Sequence, residues 1–407
     1  MLGTYRLIIL LILILFFIKI FKVYFILLII LNRGIIVQNN FWWKISDIIL
    51  PHYNHRYDNI LDEYRNGTHY INLIKIKFRV INDINEINKI LYNSPIRYRT
   101  GYIKYNYFKN FMPYNIGVIA QSDDKSVIRW QQMRKFNEHI LDTGITYSQI
   151  IDNYKKQIID ICLKTANIMP MSREYFEEIG KKIVKLLLFG HTNVSDIILP
   201  DNKLFPLPNI FSLLFNDDSV LSNKKKWKKI IKSTYINPIS LIGKIKNLDD
   251  DNLEVFEQIP HWIFPIYGTI TSNLIRALLL DKNYNKKNIP TRNILLETMR
   301  LYNPVTTLFR KDINTNEEIL IMTQMILRDK KYFNNPHSFY PERFNDKKLE
   351  YQIYSLMFSQ GPQICPGKNF ILYLIEILFD TIKPIFKSNK ILDCYDLPDS
   401  LNPFDLF

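Results

Sequence analysis

Phe358-Ser359-Gln360-Gly361-Pro362-Gln363-Ile364-Cys365-Pro366-Gly367 is followed at once by Phe370, Ile371, Leu374, Ile375 and Leu378, and the reading of the whole chain turns on this stretch. The apolar residues recur at helical spacing, which predicts a packed helix starting just after the cysteine. Unpaired N–H groups and the positive end of the dipole at such a terminus favour an anion. A cysteine placed there is biased towards thiolate, the form that ligates metal. Gly361 and Gly367 allow a tight turn and the approach of a flat group with no Cβ in the way. Pro366 suits a first helical position, where no N–H is needed. A thiolate on a shaped loop beneath a packed helix suits a haem iron with a proximal cysteine. On this segment alone, Cys365 reads equally as a buried, inert small hydrophobe.

Three upstream segments bear on the choice. Glu297-Thr298-Met299-Arg300 places a Glu and an Arg three apart, which on a helix surface is an ordinary ion pair. Phe339-Tyr340-Pro341-Glu342-Arg343-Phe344 offers a second arginine, able to share that carboxylate through fork-shaped bonds that lysine cannot copy. Trp130-Gln131-Gln132-Met133-Arg134 puts Trp and Arg on one helix face. In their order along the chain, and ending in the cysteine loop, the segments resemble the cytochrome P-450 family. Its Phe-x-x-Gly-x-x-x-Cys-x-Gly loop is matched by Phe358, Gly361, Cys365 and Gly367.

The resemblance implies roles for these residues. Cys365 becomes the axial ligand of haem b (iron protoporphyrin), and Glu297, Arg300 and Arg343 a structural triad beneath the loop. Trp130 and Arg134 become contacts of a haem propionate. Arg310, in Leu308-Phe309-Arg310-Lys311-Asp312, matches a further propionate contact or is a charge at a strand edge. Gln363 departs from the family, which has Arg or His there; Gln can donate a hydrogen bond but brings no charge.

A largely apolar helix is predicted over 252–281, kinked or divided by Pro260 and Pro265. Its Tyr267-Gly268-Thr269-Ile270-Thr271-Ser272 resembles the family's distal I helix. Gly268 would weaken the helix and leave room for dioxygen, and Thr271 matches the threonine that helps deliver protons. Alternatively, the Thr271 hydroxyl bonds back to its own helix. Ile270 stands where the family has Asp or Glu, so no titratable group is offered at that point.

Elsewhere a strand is predicted over 73–80, where Ile74, Ile76, Phe78 and Val80 alternate with charged residues. Helices are predicted over 82–91, 125–141, 147–168 and 173–190, the last capped by Gly190. Residues 95–124 are irregular and aromatic. The connection between Thr271 and Glu297 and the tail after the last helix are short for the family. The resulting fold is mainly α with a small β portion, an α+β haem domain over residues 33–407.

Net charge is +14 over 407 residues, which attracts acidic partners or anionic lipid. The densest basic run, Lys224 to Lys232, reads as a solvated helix face or as a helix lying on a membrane with Trp227, Ile230 and Ile231 inward. No nucleic-acid-binding module surrounds it. The three cysteines form no disulfide framework. No dinucleotide fingerprint or phosphate loop occurs, so electrons for an oxidative enzyme would come from a separate reductase.

Residues 7–31 are apolar except for Lys19 and Lys22. On the insertion scale the apolar residues contribute about −6 to −12 kcal/mol and the two lysines cost roughly 5–7 kcal/mol. Residues 1–32 therefore read as a single-pass membrane anchor in contact with lipid, or as a tilted, monotopic one. Orientation is not readable from Arg6 and Arg33; the resemblance implies a cytosolic catalytic domain. It further implies a haem-thiolate monooxygenase acting on an apolar substrate. The alternatives are an isomerase or dehydratase acting on a lipid hydroperoxide, and a non-catalytic haem-binding relative.

Overall fold

The computed structural model describes residues 69–73, 76–100, 124–141, 148–195, 228–246, 248, 255–303, 305, 308–346 and 354–388. The predicted anchor, most of the aromatic stretch, Trp227 and Cys394 lie outside these residues. The described part is mostly helical with one small sheet.

Strands β1 (His69–Leu73) and β2 (Ile76–Ile81) form an antiparallel hairpin, with Leu73 opposite Ile76. The single strand predicted over 73–80 is therefore two, joined through residues 74 and 75. A two-residue connection leaves the apolar–polar alternation unbroken, which is why the period alone hides the turn. Phe78 and Val80 do face the core, while Lys77 is exposed. Helix α1 (Ile84–Tyr92) starts at Asp83, whose carboxylate accepts from the amides of Asn85 and Glu86 at 3.0 Å. The remaining strands are β3 (Tyr98–Arg99), β4 (Leu308–Asp312) and β5 (Glu318–Ile321), giving the order β1-β2-β5-β4-β3. Only the β2–β5 pair is parallel among the described strands, and it joins segments some 240 residues apart.

Helices α2 (Asp124–Ile140), α3 (Gln149–Ile168) and α4 (Arg173–Phe189) follow. Helix α4 ends on Gly190 at φ 86°, a left-handed cap that a side chain would oppose. The core helix comprises α5 (Val255–Gly268), a π-helical turn over Thr269–Leu274 and α6 (Ile275–Tyr284). It runs through both prolines instead of breaking there, and the irregularity falls at the π turn. Ile259, Ile263 and Ile266 are buried, and this packing holds the helix where local propensity would not. The segment His261–Tyr284 is long and apolar enough to cross a membrane, but 83% of its most apolar 18 residues are buried inside the protein.

Helices α7 (Thr291–Leu301), α8 (Thr323–Leu327) and α9 (Lys368–Ile382) complete the set. Phe370, Ile371, Leu374, Ile375 and Leu378 on α9 are all buried, each contributing on the order of 1.5–3 kcal/mol. In the basic run, Ile231 is only 1% exposed and packs into the core, with Ile230 against it. The reading that turns these residues towards lipid is thereby corrected: their apolar side meets protein.

Candidate functional site

The cysteine loop is closed by its own backbone. The Cys365 amide donates to the Phe358 carbonyl at 2.7 Å, and Ile364 donates to Gly361 at 3.1 Å. Ser359 and Gly361 take left-handed φ of 63° and 65°. A Cβ on Gly361 would come within 2.5 Å of the Leu91 carbonyl oxygen, so glycine here lets the loop seat on the end of α1. Gly367 has an ordinary φ of −92°, and a Cβ there would meet only Leu141 at 3.8 Å and Cys365 Sγ at 4.0 Å. Its lack of a side chain keeps the space beside the sulfur open. The partly buried Phe358 lies under Lys368, with 5.7 Å from Nζ to the ring centre.

Two expectations are corrected here. Helix α9 begins at Lys368 with Gly367 as its cap, so Pro366 precedes the first turn and Cys365 stands further from the dipole. The free thiol is also shifted up rather than down. Burial is the larger cause, opposed by the Gly367 amide and by the charges of Arg134 and Lys368. Cys365 lies deep in the protein yet keeps partial accessibility.

The basic residues gather round this loop. Arg134 on α2 donates from Nη1 to the Ile364 carbonyl and from Nε to Glu138 at 2.5 Å. Trp130, one turn earlier, is buried. Arg310 on β4 is 3% exposed and donates to Ser94 Oγ at 3.0 Å and to its neighbour's carbonyl, Phe309, at 2.7 Å. No carboxylate among the described residues pairs with it, and burial pushes its pKa down to about 10. Ser94 in turn donates to Ile90 on α1 at 2.9 Å, so Arg310 and the cysteine loop converge on the same end of α1. Gln363 Oε1 is buried without a hydrogen-bond partner. A buried cation lacking a counter-charge is costly. Together with a deep sulfur on the adjoining loop, that cation makes a set that fits an iron-bearing, carboxylate-bearing group such as haem. Cys365 would hold its iron.

On the core helix, Gly268 leads into the π turn with α-helical φ and ψ of −63° and −33°. Thr271 Oγ1 donates back to the Tyr267 carbonyl at 3.0 Å. A Cβ on Gly180 of α4 would stand 3.1 Å from the Tyr267 ring and 3.5 Å from the Thr271 methyl, so both side chains turn towards α4. Ile270 is fully buried. No described contact brings Thr271 to Cys365. The π turn itself was missed from sequence.

Glu297, Arg300 and Arg343 meet. Arg300 Nε and Nη2 donate to Glu297 at 2.7 and 2.9 Å, and Arg343 Nε donates to Glu297 Oε1 at 3.3 Å. The Tyr340 amide adds a bond at 3.0 Å, and Arg300 also reaches the carbonyls of Leu327 and Pro336 at 2.7 Å. A second buried network, also missed from sequence, links Asn137 on α2 with Gln258 and Trp262 on α5.

Comparison with known proteins agrees with this geometry. The family model described as Cytochrome P450 matches residues 287–382, a stretch holding Glu297, Arg300, Arg310, Arg343 and Cys365. The chain is similar to "Cytochrome P450 71B29" of Arabidopsis thaliana, 23% identical over 308 residues covering 72% of this chain and 53% of that protein. It is 33% identical over 101 residues to "Probable cytochrome P450 4d20" of Drosophila melanogaster, covering 22% of this chain and 20% of the relative. It is 36% identical over 99 residues to "Cytochrome P450 85A1" of Solanum lycopersicum, covering 22% and 21%. The matches span between 20% and 53% of these relatives' lengths. Over residues 287–382 the chain matches the cytochrome P450 family, and it is similar to members of that family beyond this stretch.

Proposed function

We propose that the protein is a haem-thiolate monooxygenase, inserting one atom of dioxygen into an apolar substrate with electrons from a separate reductase. The observation that carries this reading is the convergence of Arg310, buried without a carboxylate, and the Cys365 loop on one end of α1. In this reading the cofactor is haem b. Arg310 and Arg134, backed by Trp130 and Gln363, hold its propionates, and Phe358, Gly361 and Gly367 shape the loop. Bound there, the iron supplies the oxygen-activating chemistry. Glu297, Arg300 and Arg343 brace the loop from below.

The proton supply falls to the core helix, with Gly268 giving room and Thr271 the hydroxyl. Thr271 Oγ1 donates to Tyr267, but its lone pairs still accept, so rotation of the hydroxyl passes a proton onward. Ile270 contributes none. Residues 1–32 anchor the chain in a membrane, with residues 33–407 as the cytosolic catalytic domain. The absorption spectrum of the reduced, carbon-monoxide-bound protein tests the ligand. Substrate-dependent consumption of reduced nicotinamide, with a reductase and a lipid panel, tests the reaction.

The position of Thr271 against α4 favours a second reading, rearrangement of a lipid hydroperoxide, which needs no acid at 270. Hydroperoxide turnover without reductant distinguishes it.

A further inference from the structure

Asn137 is 0% exposed, and both ends of its amide are hydrogen-bonded. Nδ2 donates to the Met133 carbonyl at 2.8 Å and to Gln258 Oε1 at 3.1 Å, while Oδ1 accepts from Trp262 Nε1 at 2.7 Å. Phe136 stacks on Trp262 with ring centres 6.1 Å apart. These bonds span 121 and 125 residues and fix the register of α2 on α5. Three residues before Asn137, on the same helix, Arg134 donates to the carbonyl of Ile364, the residue preceding Cys365. Helix α2 is thus a strut between the core helix and the sulfur-bearing loop. A buried amide with three partners is an expensive way to join two helices that apolar side chains could join alone. What it adds is direction: an amide bonds in one register, whereas apolar packing tolerates sliding.

We infer that Asn137 is a positioning residue that sets, through α2, where Arg134 meets the Cys365 loop. It fixes the loop's ligand geometry from the core helix. The inference rests on the haem-thiolate reading of Cys365. It assigns Asn137, Gln258 and Trp262 to the site although no contact between them and the loop is direct.

The test uses the haem-loaded full chain and reads two quantities per bound haem. One is the ratio of thiol-type to thiolate-type absorption in the reduced, carbon-monoxide-bound protein; the other is the melting temperature. Asn137→Leu should raise that ratio roughly fivefold, about what one net hydrogen bond is worth. Trp262→Phe, which deletes a single donor, should raise it less. In Arg134→Gln combined with Asn137→Leu the ratio should equal that of Arg134→Gln alone, because both act on one contact. An unchanged ratio in Asn137→Leu, even with a lowered melting temperature, overturns the inference. So does a double variant in which the two effects multiply. If Asn137→Leu does not accumulate, Trp262→Phe carries the same criteria. A wild-type protein without thiolate-type absorption refutes the haem-thiolate reading instead.

Discussion

Arg300 grips both carboxylate oxygens of Glu297, at 2.7 and 2.9 Å, with neither side chain exposed to solvent. Arg343 touches the same carboxylate from the rim by one longer bond of 3.3 Å and is itself 10% exposed. The three are therefore unequal. Glu297→Ala or Arg300→Ala leaves a buried charge unpaired and should cost roughly 3–5 kcal/mol. Arg343→Ala should cost about 1–3 kcal/mol. Arg300→Lys should not rescue, since lysine cannot form the fork. Yield of soluble holoprotein and denaturant midpoints check the order; normal haem content in Arg300→Ala would contradict it.

Cys365→Ala should abolish the thiolate-type carbon-monoxide spectrum, and Cys162→Ala should keep it. Cys162 is fully buried, and burial pushes its thiol up to about 12, so it supplies no thiolate near neutral pH. A wild-type spectrum from Cys365→Ala would remove the cysteine from the site.

Arg310 makes a prediction of opposite signs. Its folded pKa is lowered by burial, so the unfolded chain holds this proton more tightly. In haem-free protein the cation is a cost, present throughout neutral pH and relieved only as pH rises above about 10. Arg310→Met should then raise the melting temperature of the haem-free chain. It should flatten the difference in stability between neutral and alkaline solution, and it should speed haem loss from the holoprotein. Haem transfer to an acceptor globin and paired melting curves read the two signs; parallel losses would mean that Arg310 is only a structural cation.

Thr271→Ala should lower product formed per reductant consumed if the hydroxyl hands on protons. Gly180→Ala probes the same place by packing. Its Cβ would stand 3.1 Å from the Tyr267 ring, so the ring must give by a few tenths of an ångström, and a changed product ratio would show that the shift reaches Thr271. Should Thr271→Ala leave that ratio unchanged while hydroperoxide turnover persists, the rearrangement reading prevails.

The parts readable from the chain were those whose cause is local or whose partners carry unusual chemistry. Gly190 bounds its helix because a left-handed cap is a local device. The Glu297 network was legible because two arginines and a carboxylate at motif spacing have few other uses. The division of the predicted strand into β1 and β2 was hidden by an apolar–polar alternation that the sequence carries unbroken through both. The π turn and the Asn137 network were illegible for another reason. Both depend on what lies across the interface, Gly180 in one case and Gln258 with Trp262 in the other. The thiol of Cys365 shows a third limit, since the dipole argument sees its helix but not the depth of its burial.

The seat of Gly361 on the end of α1 has a consequence for biosynthesis. The surface that receives the loop, at Leu91 and Tyr92, leaves the ribosome some 270 residues before the glycine that fills it. Contacts so distant in sequence form late, after the intervening helices have closed the distance. On the haem-thiolate reading, cofactor capture is accordingly a late act of the chain, and a nascent chain interrupted before Gly361 carries a receiving surface with nothing to receive.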